Sequence, residues 1–472
     1  MGLVAETRQA IRDSPRGVFN WYLLMNIAIF ALAGISRGFD EANIASLVVQ
    51  NRFRIKFGLG QQSPDEYANT KGWIVSMFTA GMTLGCLLVA PKTIRGLLAV
   101  QFAACQQLGV VFGFFINYGI TKNYDGTDMQ WMFPTLIQLL PATVWGLGLL
   151  ICEESPRWLL YVGRRTQAVS VLAKLRHLPS SHPTVVAEIA VMEFQILQER
   201  EAVTGTSQWC LVKETFVPVE NRRRFCLVML SHMFSQWSGG NAITQYLPTI
   251  LGYLGTSGDA LSLTTGVYAV VKFTALLIFS LVVVDFVGRR RSLMAGITLQ
   301  ILTLSYLACY LGISRQMSTT TILYTASATR ASTAAIAAIF VHGVGWVIGW
   351  FSMPFLIGSE IFPIRIRSLA LSMGMAGHWL FAFGCTRATP DLLEVMDEWG
   401  AFAFFACICL VSLVYVFFAM PDTTGRSLEA LDGLFERPWY TVYQVAYAKE
   451  EDEEIEVQAM QERGKSELAM EA

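Results

Sequence analysis

Apolar residues run along this chain in stretches long enough to cross a bilayer, separated by short polar clusters. A transmembrane helix needs about 20 mainly apolar residues, and that template predicts about ten spans. They lie at Trp21–Val49, Trp73–Ala90, Leu97–Ile116, Trp131–Ile151, Phe225–Leu254, Leu261–Val284, Leu293–Leu311, Ala334–Ile357, Leu369–Phe383 and Ala401–Met420. The first is overlong and interrupted by Gly34, Gly38 and Asp40, so a broken or tilted helix is expected there.

The polar stretches set the organisation. They predict an N-terminal tail over 1–20, a helical bundle over 21–152, a linker over 153–224, a second bundle over 225–420 and an acidic tail over 421–472. Basic residues cluster before Trp21, at Lys92 and Arg95, through Arg157–Arg224, at Arg289–Arg291, and at Arg365 and Arg367. Placing these in the cytoplasm satisfies the positive-inside rule for an even number of spans. Arg52, Arg54 and Lys56 are the exception, since that topology puts them outside. Within the linker, Val186, Ile189, Met192 and Ile196 recur at helical spacing, which predicts an amphipathic helix over Pro183–Glu201 lying against the inner surface. The tail after Pro421, with its acidic run Glu450–Glu454, reads as solvated and disordered.

Composition agrees. Hydrophobic residues make up 53% of the chain and charged residues 15%, against about 25% charge in a soluble domain. The formal net charge of -1 leaves no basic excess for nucleic acid. The nine cysteines show no metal-ligand spacing and read as small core residues. No nucleophile constellation, metal cluster or phosphate-cradling loop stands out, so neither an enzyme nor a cofactor is expected.

Five polar motifs carry a resemblance. Glu154-Ser-Pro-Arg-Trp-Leu159 closes the first group of spans, and Gln236-Trp-Ser-Gly-Gly-Asn-Ala-Ile243 lies within the fifth. Asp285-Phe-Val-Gly-Arg-Arg-Arg291, Glu360-Ile-Phe-Pro-Ile-Arg-Ile-Arg367 and Pro421-Asp-Thr-Thr-Gly-Arg426 follow later spans. In this order they resemble the sugar-porter branch of the major facilitator superfamily, and the wider sequence looks most like fungal-type quinate permeases and their monosaccharide-carrying relatives. The resemblance implies an all-α polytopic fold of two bundles. It also implies a carrier for a small polyhydroxylated solute, a quinate-like acid or a monosaccharide, moved by alternating access with a proton as coupling ion. A plasma-membrane monomer is expected by the same likeness. The alternative is a non-transporting sensor or an inactive, truncated carrier.

The two halves of such a carrier check each other. Pro91-Lys-Thr-Ile-Arg-Gly96 looks like the counterpart of Pro363–Arg367, yet it directly follows the second span. By the resemblance, helices three and four are missing at Ala90–Pro91.

The resemblance also assigns residues. Asp40 is an ionisable group inside a span, where burial is costly. It matches the proton-accepting aspartate of proton-linked relatives, or else simply pairs with Arg37, and Glu41 reads as a bystander. Gln107, Gln236, Asn241 and Tyr246 match solute-binding positions, with helix–helix hydrogen bonding as the other reading. His232 and His378 stand where hexose carriers usually place amides. They serve the solute site or pack as neutral hydrogen-bonders. Lys272, deep in a span, pairs with a solute carboxylate, a protein acid or a backbone group. Glu154, Arg157, Asp285, Arg289, Glu360 and Arg367 are candidates for a cytoplasmic gate of charge pairs, or for anchors of helix ends.

Overall fold

A computed structural model describes residues 20–88, 96–203, 207–280, 287–314, 326–422, 433–435 and 437–447. Helix α1 (Trp21–Leu47) is followed by α2 (Pro64–Leu88), α3 (Gly96–Asn123) and α4 (Met129–Leu149). The linker forms α5 (Pro156–Tyr161), α6 (Arg165–Arg176), α7 (Pro183–Val203) and α8 (Gln208–Phe216). Next comes an interrupted helix of three pieces, α9 (Val219–Trp237), α10 (Gly240–Gln245) and α11 (Leu247–Tyr253). The other main elements are α12 (Gly258–Ile278), α13 (Arg289–Ser314), α14 (Ala326–Trp346), a π-helical turn (Val347–Phe351), α15 (Met353–Ile361), α16 (Ile364–Val395) and α17 (Trp399–Ala419), with short helical pieces at Asn51–Lys56, Leu59–Gln61 and Trp439–Val445. Among the described residues, eight helices are long and apolar enough to cross a membrane. The two other expected spans correspond to α2 and to the interrupted helix α9–α11. The chain is an integral, multi-pass, all-α membrane protein.

Of the two alternatives expected for the first span, a break is absent, because α1 runs unbroken from Trp21 to Leu47. Its glycines serve packing. A Cβ on Gly38 would lie 1.8 Å from the carbonyl oxygen of Gln106, and one on Gly109 would lie 2.2 Å from that of Ile35. The backbones of α1 and α3 therefore nearly touch, as small residues permit where apolar lipid supplies no hydrophobic drive between helices. Ala42, Ala45, Val110 and Phe114 complete this seam, and Ala269 of α12 joins it from the second bundle. In α9–α11 the break is real. Gly239 takes φ 85°, and Tyr246, at φ -108°, separates α10 from α11 just before Pro248. On α4, Leu136, Leu139, Leu140 and Leu147 remain 59–64% exposed, the composition of a lipid-facing surface.

The linker has a core of its own from Leu159, Leu160, Ala168, Leu172, Val185, Ile189 and Ile196. Met192 packs at its edge, whereas Val186 is 51% exposed. The linker helices claim only part of the stripe read from the sequence. Asn20 caps α1 and donates to the Leu175 carbonyl at 2.8 Å, tying the first span to this end of the molecule. The junction at Ala90–Pro91 lies outside the described residues.

Candidate functional site

The bundles meet along a seam lined by α1, α2 and α3 on one side and by α10, α11, α12 and α16 on the other. Two polar nests occupy it, and both contain residues singled out from the sequence.

The first nest joins α9, α10 and α16. His232 and His378 face each other with their Nδ1 atoms 3.1 Å apart. The Gln236 amide nitrogen lies 3.3 Å from His378 Nε2, and Asn241 donates to Gln236 Oε1 at 2.9 Å. Phe355 meets the His232 ring edge-on and the His378 ring at a tilt, at 5.3 and 5.0 Å between centroids. Gln236, His232 and Asn241 come together because the break at Gly239 folds the two helix ends towards one point. Tyr246 is turned away from this nest and donates to the Thr386 carbonyl at 3.0 Å.

The second nest surrounds Lys272 on α12, which is 1% exposed. Its ammonium donates to Thr244 Oγ1 at 2.9 Å and sits over the Trp346 ring at 4.6 Å and the Tyr268 ring at 5.6 Å. Trp346 in turn donates its indole N–H to the Ser235 carbonyl at 3.3 Å, joining the two nests. Among the described residues no carboxylate lies within ion-pair distance of Lys272. Gln107 of α3 and Gln245 of α10 are buried, each with an amide oxygen lacking a partner among the described residues.

On α1 the acidic residues divide their roles. Asp40 takes a side-chain hydrogen bond from Gln138, and Arg37 lies over the Trp379 ring at 4.3 Å. Glu41, read as a bystander, is 7% exposed and accepts from Gln106 at 3.3 Å. The missed signal was the small-residue stripe Gly38, Ala42 and Ala45, which turns Glu41 towards α3 and α12.

At the linker end, Arg289 pairs with Glu360 at 2.7 Å, and Arg367 donates to the Phe362 carbonyl at 2.9 Å. Arg157 reaches Glu199 at 2.7 Å and Gln195 at 2.9 Å on α7, while Glu154 is exposed. These two bonds brace the linker. Arg365 pairs with Glu214 at 2.9 Å, fastening α8 to the start of α16. Asp285 lies outside the described residues.

Two helical bundles around a buried polar seam, with a linker domain at one end, define a transporter of the major facilitator type. The chain belongs to the sugar (and other) transporter family, whose model matches residues 88–435. It is 28% identical to the probable quinate permease of Neosartorya fischeri, over 94% of this chain and 93% of that protein. It is 31% identical to the quinate permease of Emericella nidulans, over 94% of each. The proton:xylose symporter XylE bound to 6-bromo-6-deoxy-D-glucose shares the fold, with a TM-score of 0.64 at 18% identity, over 88% of this chain and 99% of that one. XylE from E. coli in an inward open conformation gives the same score at 16% identity, over 88% of this chain and 100% of that one.

Proposed function

We propose that this chain is a secondary carrier of a small polyhydroxylated acid of the quinate type, driven by a proton and working by alternating access as a monomer in the plasma membrane. Lys272 carries the reading. Among the described residues this buried ammonium touches a hydroxyl and two ring faces, and the nearby carboxylate of Glu41 acts on it only from beyond ion-pair distance, so a solute carboxylate can supply the direct partner. The open amide oxygens of Gln107 and Gln245 suit solute hydroxyls, and the Gln236–Asn241–His378 nest offers further donors and acceptors. Asp40 is the proton site on this reading, and the Arg289–Glu360 pair belongs to the cytoplasmic gate.

The test is uptake into proteoliposomes under an imposed pH gradient, comparing labelled quinate with glucose. The wild type accumulates quinate, and Lys272→Asn loses it while sparing any neutral polyol. Equal loss of both solutes would make Lys272 a structural residue.

One observation favours the second reading, a truncated chain that does not transport. The Emericella alignment runs over 517 positions, at least 45 more than this chain has residues (517 minus 472). At about 20 residues per span, that excess accommodates two helices. A chain that inserts and binds quinate but shows no counterflow would establish this alternative.

A further inference from the structure

The Lys272 nest has a counterpart at the end of the seam remote from the linker. Lys71 of α2 is 4% exposed. Its ammonium donates to Thr249 Oγ1 of α11 at 2.5 Å and stands 5.7 Å from the Tyr67 ring centroid and 5.3 Å from that of Tyr246. Both phenols point their hydroxyls elsewhere. Tyr67 donates to the Val48 carbonyl at 2.8 Å and Tyr246 to the Thr386 carbonyl at 3.0 Å. Among the described residues no carboxylate pairs with Lys71. Burying a cation is costly, and one hydroxyl with two ring faces offsets that cost less completely than a carboxylate would.

Lys71 is also the second step of a series. Arg54, one of the basic residues that defied the positive-inside rule, lies over the same Tyr67 ring at 4.5 Å. Thr249, which holds Lys71, lies five positions beyond Thr244, which holds Lys272. The two threonines stand on α10 and α11, on either side of the break at Tyr246. A half-buried guanidinium and two buried ammoniums thus follow one another down the seam, with aromatic rings against them.

We propose that Lys71, with Thr249, Tyr67 and Tyr246, is an entry subsite for the carboxylate of an acidic solute, filled from Arg54 and emptied onto Lys272. The carboxylate replaces Thr249 as the partner of Lys71, and the two ring faces line the solute's apolar edge. This rests on the acid-carrier reading above, and the test separates the two.

The experiment is stopped-flow tryptophan fluorescence on the purified full-length protein in nanodiscs, with sodium quinate as the probe. Lys71→Gln should slow quinate association by about tenfold at low salt and flatten its salt dependence, since a steering charge acts on the on-rate. Lys71→Arg, which keeps the steering charge, should stay within about twofold of the wild-type association rate. Thr249→Val, which frees the ammonium without removing it, should bind at least as fast as wild type. An unchanged association rate in Lys71→Gln, or equal loss in the Gln and Arg variants, would overturn the subsite. Loss in Lys71→Gln with full binding in Lys272→Asn would instead sink the central-site reading alone. A wild-type protein that binds no quinate overturns both.

Discussion

Replacing Gly38 by alanine tests the seam on which the site depends. The added Cβ would fall 1.8 Å from the Gln106 carbonyl oxygen and 2.8 Å from the amide nitrogen of Val110. Carbon and oxygen need about 3.3 Å, so α1 and α3 must part by about 1.5 Å. Both obstacles are backbone atoms inside a helix, so no rotamer change relieves the clash. A radial gap of 0.5–1 Å already forfeits a quarter to a half of the dispersion attraction at a contact, and overpacking costs about 1–3 kcal/mol. The upper half of that range applies, which corresponds to roughly 30- to 150-fold in an unfolding rate. Gly119→Ala, on the same α3, is the control, because its Cβ meets nothing within 4 Å. There the removal of a helical glycine should stabilise by about 0.5–1 kcal/mol. The assay heats both proteins in detergent at one temperature and follows the half-life of the monodisperse peak by size-exclusion chromatography. If Gly38→Ala decays no faster than Gly119→Ala, the close approach of α1 and α3 is wrong.

Three further outcomes follow from the same geometry. Asp40→Asn should abolish accumulation driven by a pH gradient while leaving solute counterflow, and full accumulation in that variant would remove Asp40 as the proton site. Glu360→Gln weakens the pair with Arg289, whose side chains are 23% and 27% exposed. A shift of about 1 kcal/mol, or roughly fivefold, in the inward–outward balance is expected, and unchanged exchange kinetics would refute it. Gly240→Ala places a Cβ 2.1 Å from the Trp346 indole, dislodging the ring that faces Lys272. Quinate binding by isothermal calorimetry should weaken by roughly tenfold, about one 1.4 kcal/mol step, and wild-type affinity would contradict the described nest.

The number and order of spans were legible because span length is set by the bilayer, and apolar runs record it directly. Helix ends were less so. The template began the second span at Trp73, yet α2 starts at Pro64, where Ser63 and Glu66 form a reciprocal capping box with bonds of 3.4 and 3.1 Å. That Ser-x-x-Glu pattern was readable, but a count of apolar residues ignores it. Similarly α16 continues to Val395 through polar Arg387 and Asp391, which pair at 2.8 Å. Within the site, residue type marked Lys272, His232, His378, Gln236 and Asn241 as costly to bury, and each is placed in the seam or beside it. Residue type alone weighs Asp40 and Glu41 equally, because the cost of burying a carboxylate is the same at both positions, and it was the resemblance that favoured Asp40. The helix face sets which of them is buried against α3, namely Glu41, through contacts made by Gly38 and Ala42 with a helix distant in sequence.

Helix α2 links the length of this chain to its mechanics. Its neighbour along most of its course is α16 of the opposite bundle. There Trp73 packs on Phe383 at 6.2 Å, Asn69 accepts from Arg387, and a Cβ on Gly72 would touch the Arg387 guanidinium at 3.0 Å. Towards α1, a single side-chain bond from Tyr67 to Val48 is seen among the described residues. Separating the bundles at this end therefore means breaking the grip on α2 at Lys71–Thr249 and Asn69–Arg387. On the entry-subsite reading, a solute carboxylate arriving at Lys71 takes the place of Thr249. The first of those two bonds, from an ammonium to a neutral hydroxyl, is then exchanged for a stronger one to a charged acceptor. Arrival of the acid thus lowers the cost of opening for the step that admits it, whereas a neutral polyol must break the Thr249 bond uncompensated. Acid-dependent opening at the Asn69–Arg387 end, absent with a neutral solute and absent in Lys71→Gln, is the result this coupling requires from cysteine accessibility. Opening that is equal for both solutes would detach Lys71 from the gate.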